Sequence, residues 1–367
     1  MLLCHFWFRV SFTNISIKNF RCFNNVDLTL SPGINFFYGP NGSGKTSVLE
    51  SVFLFSSGKS FKSTDLSSLI KYKSKNFSLK GFDGAKGYIV EINKNTNSSI
   101  NIKLNNKRIT TSKLIREFPC TPIHNNTFSF ANASPDFRRK LLDRSIYIAE
   151  NNFSRNWFSF YRTLKQRNSL IKSNRISDIY TWNKKLSDDG TILNNFRKSF
   201  FENTLDEFNF LVDLLNTKDF FEFFEVITID FFQGWDEDES LLDSLNNNNE
   251  KDLIRKTTTA GPHKSDIKFF INNIDARQIL SRGEQKIFSV LWSCAQHEVL
   301  KKKYNIDATL IIDDIKSELD DRIFNVFVEL LKHINNQIIF SCIDDCFSSK
   351  MISNFKEFKK FHVEQLG

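Results

Sequence analysis

The chain has 367 residues, a formal net charge of +8, six cysteines and 40 phenylalanines. That length supplies one large domain or two smaller ones with ample core, and the basic balance favours polyanionic partners such as nucleic acid. No apolar run reaches the roughly 20 residues of a membrane span and no CxxC pair occurs, so membrane-embedded, disulfide-scaffold and zinc-module readings fall away and a reducing cytoplasm is expected.

Leu2 to Phe12 is apolar but broken by His5 and Arg9, and it reads as an extension before the first strand. ISIKNF, VDLTL and INFFY follow as strands. INFFY (Ile34 to Tyr38) runs into GPNGSGKT, and SVLESVFLF (Ser47 to Phe55) continues with apolar residues at helical spacing. Strand, glycine-rich loop and helix in that order form a phosphate cradle. Gly39, Pro40, Asn41, Gly42, Ser43 and Gly44 are expected to wrap the phosphates, with backbone N–H groups and the helix N-terminus facing them. Lys45 is assigned to the β- and γ-phosphates of ATP and Thr46 to Mg²⁺.

NFSLKGF, GYIVEINK and SINIKLNNKRI add strands, the last with a hairpin turn at Asn105–Asn106. Near Pro135 the texture changes to two or three amphipathic helices rich in basic and aromatic residues. FFEVITIDF reads as a strand, and Asp236 to Glu250 as an acidic helix. Cys342 and Cys346 lack two further ligands at metal spacing and read as ordinary thiols.

The final third returns to alternating character. LSRGEQKIFSVLWSCAQ places Ser281 and Gly283 at a helix start, able to meet a γ-phosphate presented from elsewhere. TLIIDD is an apolar strand ending in Asp313, assigned to Mg²⁺, and Asp314, assigned to the attacking water. The phosphate loop and TLIIDD flank a helical insertion, so one nucleotide-binding head is built from both ends. The expected fold class is α/β: a P-loop ATPase head with a mixed sheet, from residues 1–130 and 256–367, plus an inserted helical lobe at 131–255, and its motif order resembles that of ABC-type heads.

In order, the phosphate loop, LSRGEQ, the Asp-Asp strand end and SELDD (Ser317 to Asp321) are similar to the ATP-binding-cassette heads of DNA repair and chromosome structure. Among these the chain resembles the RecF family, through IKNFRCF, GKSFKSTDLSSLI, SPDFRRKLLD, LKQRNSLIK, the spacing of Trp182, Leu186 and Gly190, and TTAGPHKSD. The resemblance implies an ATP-dependent homodimer in which Ser281 and Gly283 of one chain complete the site of the other. It also implies slow DNA-stimulated hydrolysis, action on single- and double-stranded DNA at replication gaps, and RecR and RecO as partners. Lys59, Lys62, Arg138, Arg139, Lys165, Arg167 and Lys172 are candidates for sequence-independent phosphate contacts. The alternative for Arg138 and Arg139 is pairing with acids inside the lobe. Asn125–Asn126, Ala133, Ser134, Glu284, and Ser341–Cys342 in place of a switch histidine depart from the family pattern. Asn125–Asn126 and Glu284 motivate a second reading, a non-hydrolysing ATP-bound DNA clamp. Rad50-like and SMC-like chains would need hundreds of heptad residues between the motifs, which this chain does not contain.

Overall fold

In the computed structural model, residues 12–173, 178–215, 222–314, 321–345, 355 and 357–366 are described. The apolar extension up to residue 11, Ser317 to Asp320 of SELDD, and Cys346 lie outside them. The chain divides into two compact units, Met1–Phe128 with Leu300–Gly367, and Ser129–Val299.

The strands are β1 (Phe12–Phe20), β2 (Phe23–Thr29), β3 (Ile34–Tyr38), β4 (Asn76–Asp83), β5 (Tyr88–Asn95), β6 (Asn101–Leu104), β7 (Lys107–Arg108) and β8 (Cys120–Ile123). After them come β9 (Ile227–Phe232), β10 (Asp266–Ile271), β11 (Ile274–Asp275), β12 (Thr309–Ile312), β13 (Ile338–Cys342) and β14 (Phe358–His362). In the first unit an antiparallel sheet runs β2-β1-β4-β5-β6-β7. Its turn between β6 and β7 uses Asn105 and Asn106 at φ 47° and 66°, the left-handed pair that a two-residue hairpin needs. The other sheet of this unit is parallel, in the order β14-β3-β13-β12-β8. Every residue of β12 and β13 is buried, as expected of strands covered on both faces.

Parallel register decides what meets at the carboxyl ends of these strands. Ile312 pairs with Phe340 and Phe340 with Phe36, so Asp313 and Ser341 follow side by side, and the phosphate loop leaves β3 two residues further along, after Tyr38. In open α/β sheets this edge is where ligands bind. The helix Lys45–Ser57 leaves the loop there and ends at Gly58, whose φ of 62° lets its N–H return to Leu54 O.

The second unit contains the helices Pro135–Ala149, Phe153–Lys172 and Ile179–Leu214, and a sheet in the order β11-β10-β9. Trp292, fully buried, is ringed by Phe130, Phe201, Phe208, Phe269 and Phe288 with centroids 5.6 to 6.3 Å away. That aromatic cluster explains why residues 256–299, assigned above to the head, group with the lobe instead. β10 pairs with β9, and Arg138 pairs with Asp266, which ties the stretch to the same core. The expected acidic helix is shorter: Ser240 caps a helix at Leu241–Asn247, and a second helix follows at Asn249–Arg255. Gly190 is a packing glycine, since a Cβ there would lie 2.5 Å from Leu241 Cδ2.

The GPHKSD segment is held from several sides. Arg197 Nη1 donates to Pro262 O at 2.6 Å while its other nitrogens grip Asp143, and Arg139 Nη1 donates to Ser265 O. His263 Nε2–H donates to Thr258 O at 3.0 Å, and Nδ1 is buried without a partner. A second proton on Nδ1 would therefore be desolvated and unpaired. Burial accordingly lowers the His263 pKa from 6.5 to about 4, with Lys264 and Arg139 adding to the shift and the Thr258 bond opposing it. Between those values the unfolded chain binds the proton and the folded chain does not. The contribution is whole above pH 6.5, declines as pH falls, and has cost about 3 kcal/mol by pH 4. His263→Gln is expected to flatten the stability curve in that window. Parallel pH dependences of unfolding free energy for the two proteins would contradict the assignment.

Candidate nucleotide-binding site

Local backbone geometry makes the cradle. Gly39, Gly42 and Gly44 have φ of 150°, 85° and 108°, values that L side chains rarely adopt. At Gly44 a Cβ would also lie 2.6 Å from Phe23 Cζ and 2.7 Å from Cys22 Sγ, so the turn between β1 and β2 closes on the loop. At Gly42 a Cβ would meet nothing within 4 Å, which leaves that side of the loop open to a ligand. Lys45 is buried, and its ammonium donates to Gly39 O at 2.6 Å and Pro40 O at 3.0 Å. Ser43 Oγ is buried without a hydrogen-bond partner.

Thr46 Oγ1 donates to Asp313 Oδ1 at 3.0 Å, joining the loop to the end of β12 across 267 residues of sequence. Ser341 Oγ donates to the same carboxylate oxygen at 3.0 Å and accepts from Asp314 N–H at 2.9 Å. Asp314 has φ of 50°, a left-handed conformation that Asp tolerates better than most residues. Burial raises the Asp313 pKa, while the Ser341 and Thr46 hydrogen bonds and the Lys62 charge pull it down. A hydroxyl and a largely buried carboxylate converging at hydrogen-bond distance suit a hard divalent cation such as Mg²⁺, which would offset the cost of that buried charge. The orphaned Ser43 hydroxyl and the positive-φ glycines of the loop suit a phosphate.

In the second unit, Ser281 caps the helix Arg282–Tyr304. Glu284 N–H donates to Ser281 Oγ at 3.3 Å, and Ser281 N–H donates to Glu284 Oε2 at 2.7 Å, a reciprocal capping box. The glutamate that departs from the family pattern thus fixes the signature helix start. Ser281 is exposed and Gly283 half-buried, so this helix start lies at the surface, at the positive end of a 23-residue helix.

The basic candidates separate. Lys59, Lys62, Lys165 and Lys172 are exposed. Arg138 and Arg167 are not available to DNA, which corrects the expectation for both. Arg138 is 3% exposed, pairs through Nε and Nη2 with Asp266, and donates to Ala131 O and Ala133 O. Arg167 is fully buried and donates to Asn183, Asp252, Thr258 and Asn249. Arg139, committed to Ser265 O and near Asp136, presents little guanidinium to solvent. The residue missed from sequence is Ser341, noted there only as the occupant of a histidine's place.

A buried parallel sheet with a phosphate loop after β3, a metal-suited carboxylate after β12 and a capped signature helix starting at the surface defines a P-loop ATPase head of the ABC and SMC type. The model of the family described as "RecF/RecN/SMC N terminal domain" matches residues 11–365. The chain belongs to this family, and its similarity is to the RecF branch. It is 32% identical to the "DNA replication and repair protein RecF" of Pseudoalteromonas translucida (strain TAC 125), covering 97% of this chain and 98% of that one. It is likewise 32% identical to the protein of the same name from Glaesserella parasuis serovar 5 (strain SH0165), with 91% and 92% covered. Among solved structures, the recombination mediator protein RecF bound to ATP, of the RecFOR pathway, superposes with a TM-score of 0.80 at 22% identity, covering 99% of this chain and 98% of that one. An SMC head bound to a winged-helix domain of ScpA reaches 0.56 at 15% identity, with 95% and 93% covered. No helix among the described residues is long and apolar enough to cross a membrane.

Proposed function

We propose that this protein is an ATP-dependent DNA-binding protein of recombinational repair and replication-gap processing. In this reading ATP is held with Mg²⁺ at the loop and β12, and two chains close on it. The observation that carries the reading is the Thr46–Asp313 hydrogen bond, because it brings the phosphate loop and the expected metal carboxylate to one point from opposite ends of the chain. The relatives' names supply the DNA repair context, and the ATP in the solved RecF relative supplies the nucleotide. The same relative's RecFOR pathway makes RecR and RecO the expected protein partners.

Lys45 and the loop amides hold the phosphates. Thr46 and Asp313 hold the cation, which screens phosphate charge when bound. Asp314, fixed through Ser341, orients the attacking water. Ser281 and Gly283 complete the site of a second chain. Exposed Lys59, Lys62, Lys165 and Lys172 contact DNA phosphates without reading bases, so duplex affinity falls as salt rises.

ATP turnover with and without double-stranded DNA tests this function. Stimulated turnover supports a slow DNA-dependent ATPase. ATP binding with no turnover supports the clamp that uses nucleotide only to dimerise, a reading motivated by Asn125–Asn126 and Glu284. Ser281→Arg places a bulky cation at the exposed helix start. It is expected to leave ATP affinity within about threefold while abolishing ATP-induced dimerisation, because a few kcal/mol lost at an interface centre is enough to dissociate it. Sedimentation with ATP decides: a Ser281→Arg protein that still dimerises rules out the composite site.

A further inference from the structure

The second unit carries a surface that neither the nucleotide nor DNA explains. Among the described residues β9 pairs only with β10, so its other edge presents unpaired backbone groups. A cleft of ≈ 530 Å³ lies along β9 and the last turns of the helix Ile179–Leu214. Its apolar lining comes from Leu205, Phe208 and Val212 of the helix and from Ile227 and Ile229 of the strand, and Asp213 and Asp230 contribute carboxylates. Nearby, Phe210, Leu214 and Val226 are 50%, 37% and 42% exposed.

Charge identifies the occupant. In a chain of net charge +8, every charged residue from 201 to 232 is acidic except Lys218. Glu202, Asp206, Glu222, Glu225 and Asp230 are exposed. Lys268 stands opposite Asp230 in the ladder, yet its ammonium lies 4.1 Å over the Phe232 ring. Such a face repels nucleic acid. A second copy of the same strand is also disfavoured, because it would bring carboxylate against carboxylate. An exposed edge beside apolar pockets takes an extended chain, whose backbone supplies the affinity and whose alternate side chains supply the fit.

We propose that the β9 edge and this cleft receive an extended segment of a partner protein, apolar at alternate positions and Lys- or Arg-rich between them, added as a fourth strand beside β9. The site is independent of ATP and DNA and stands whether or not the function proposed above holds.

The probe is a fluorescein-labelled ten-residue peptide alternating Val and Lys, titrated from about 1 µM to about 1 mM, the range of single-segment affinities. Its controls are the Val and Glu counterpart and a Val and Lys peptide N-methylated at alternate amides. Saturable binding is expected for the first peptide alone. Asp230→Lys, at an exposed position, is expected to weaken it about fivefold or more with ATP binding unchanged. Hydrogen exchange provides a readout independent of that variant: amides of Ile227–Phe232 should gain protection on peptide addition. No binding, equal binding of the Glu or N-methylated peptide, or unchanged exchange in β9 would overturn strand addition. Peptide-free self-association abolished by Asp230→Lys would overturn it in favour of a second copy.

Discussion

Lys45→Met is expected to lower ATP affinity about 100-fold or more while the protein stays folded. The ammonium is buried within the loop and held by Gly39 O and Pro40 O, a position from which it faces any phosphate the loop amides gather. Methionine keeps the stem's length and apolar packing but removes the charge. Losing charge-assisted contacts to a desolvated phosphate costs on the order of 3 kcal/mol. Two loop carbonyls, at Gly39 and Pro40, lose a donor, a cost confined to the loop that the Tm reports. Titration calorimetry with ATP and Mg²⁺, with thermal unfolding alongside, separates the effects. A variant that binds ATP within about threefold of the parent would show that this loop is not a nucleotide cradle. A variant that is merely unfolded would reveal itself by its Tm.

The parts of this site readable in the sequence are those set by contiguous chemistry. Gly39 to Thr46 carries its own backbone instructions, since glycines at positive φ and a following helix make the cradle wherever the strand before it is buried. TLIIDD likewise announces a buried strand that ends in carboxylates. Ser341 was opaque because its role comes from pairing: only the register Ile312, Phe340, Phe36 puts its hydroxyl beside Asp313. The unit boundary was hidden for a similar reason. Residues 256–299 look like a return to the head, but Trp292 and β10 find their partners in the lobe. The buried arginines, by contrast, did leave a signal. Arg167 lies on the stripe of Phe160, Thr163, Leu164 and Ile171, and Arg138 on that of Leu142, Ser145 and Ile146, the buried faces of their helices. An arginine at core spacing needs an acid inside the fold. Here the partners, Asp252 and Asp266, lie 85 and 128 residues away, where no local pattern could reveal them.

Arg167→Met should therefore destabilise the protein far more than any lysine assigned to DNA. Both members of the Arg167–Asp252 pair are fully buried, 2.6 Å apart. Burial lowers the Arg167 pKa, and the Asp252 hydrogen bond and charge oppose that shift. Removing the cation leaves a carboxylate without its counter-charge and strands acceptors on Asn183 and Asn249. Breaking one side of such a pair costs about 3–5 kcal/mol, enough to lower Tm by about 10 °C or more for a unit of this size. Lys165→Ala and Lys172→Ala, on the exposed side of the same helix, should stay within about 0.5 kcal/mol of the parent. DNA binding should behave in the opposite way. Each lysine that touches a phosphate reduces the slope of log affinity against log salt by about one when removed, whereas Arg167→Met, at a temperature where it remains folded, should leave that slope unchanged. Denaturant unfolding and salt titrations on these three variants give two independent readouts. A stable Arg167→Met protein with a reduced salt slope would return this arginine to the DNA surface and overturn its assignment as the buried clamp on Asp252 and the Thr258 loop.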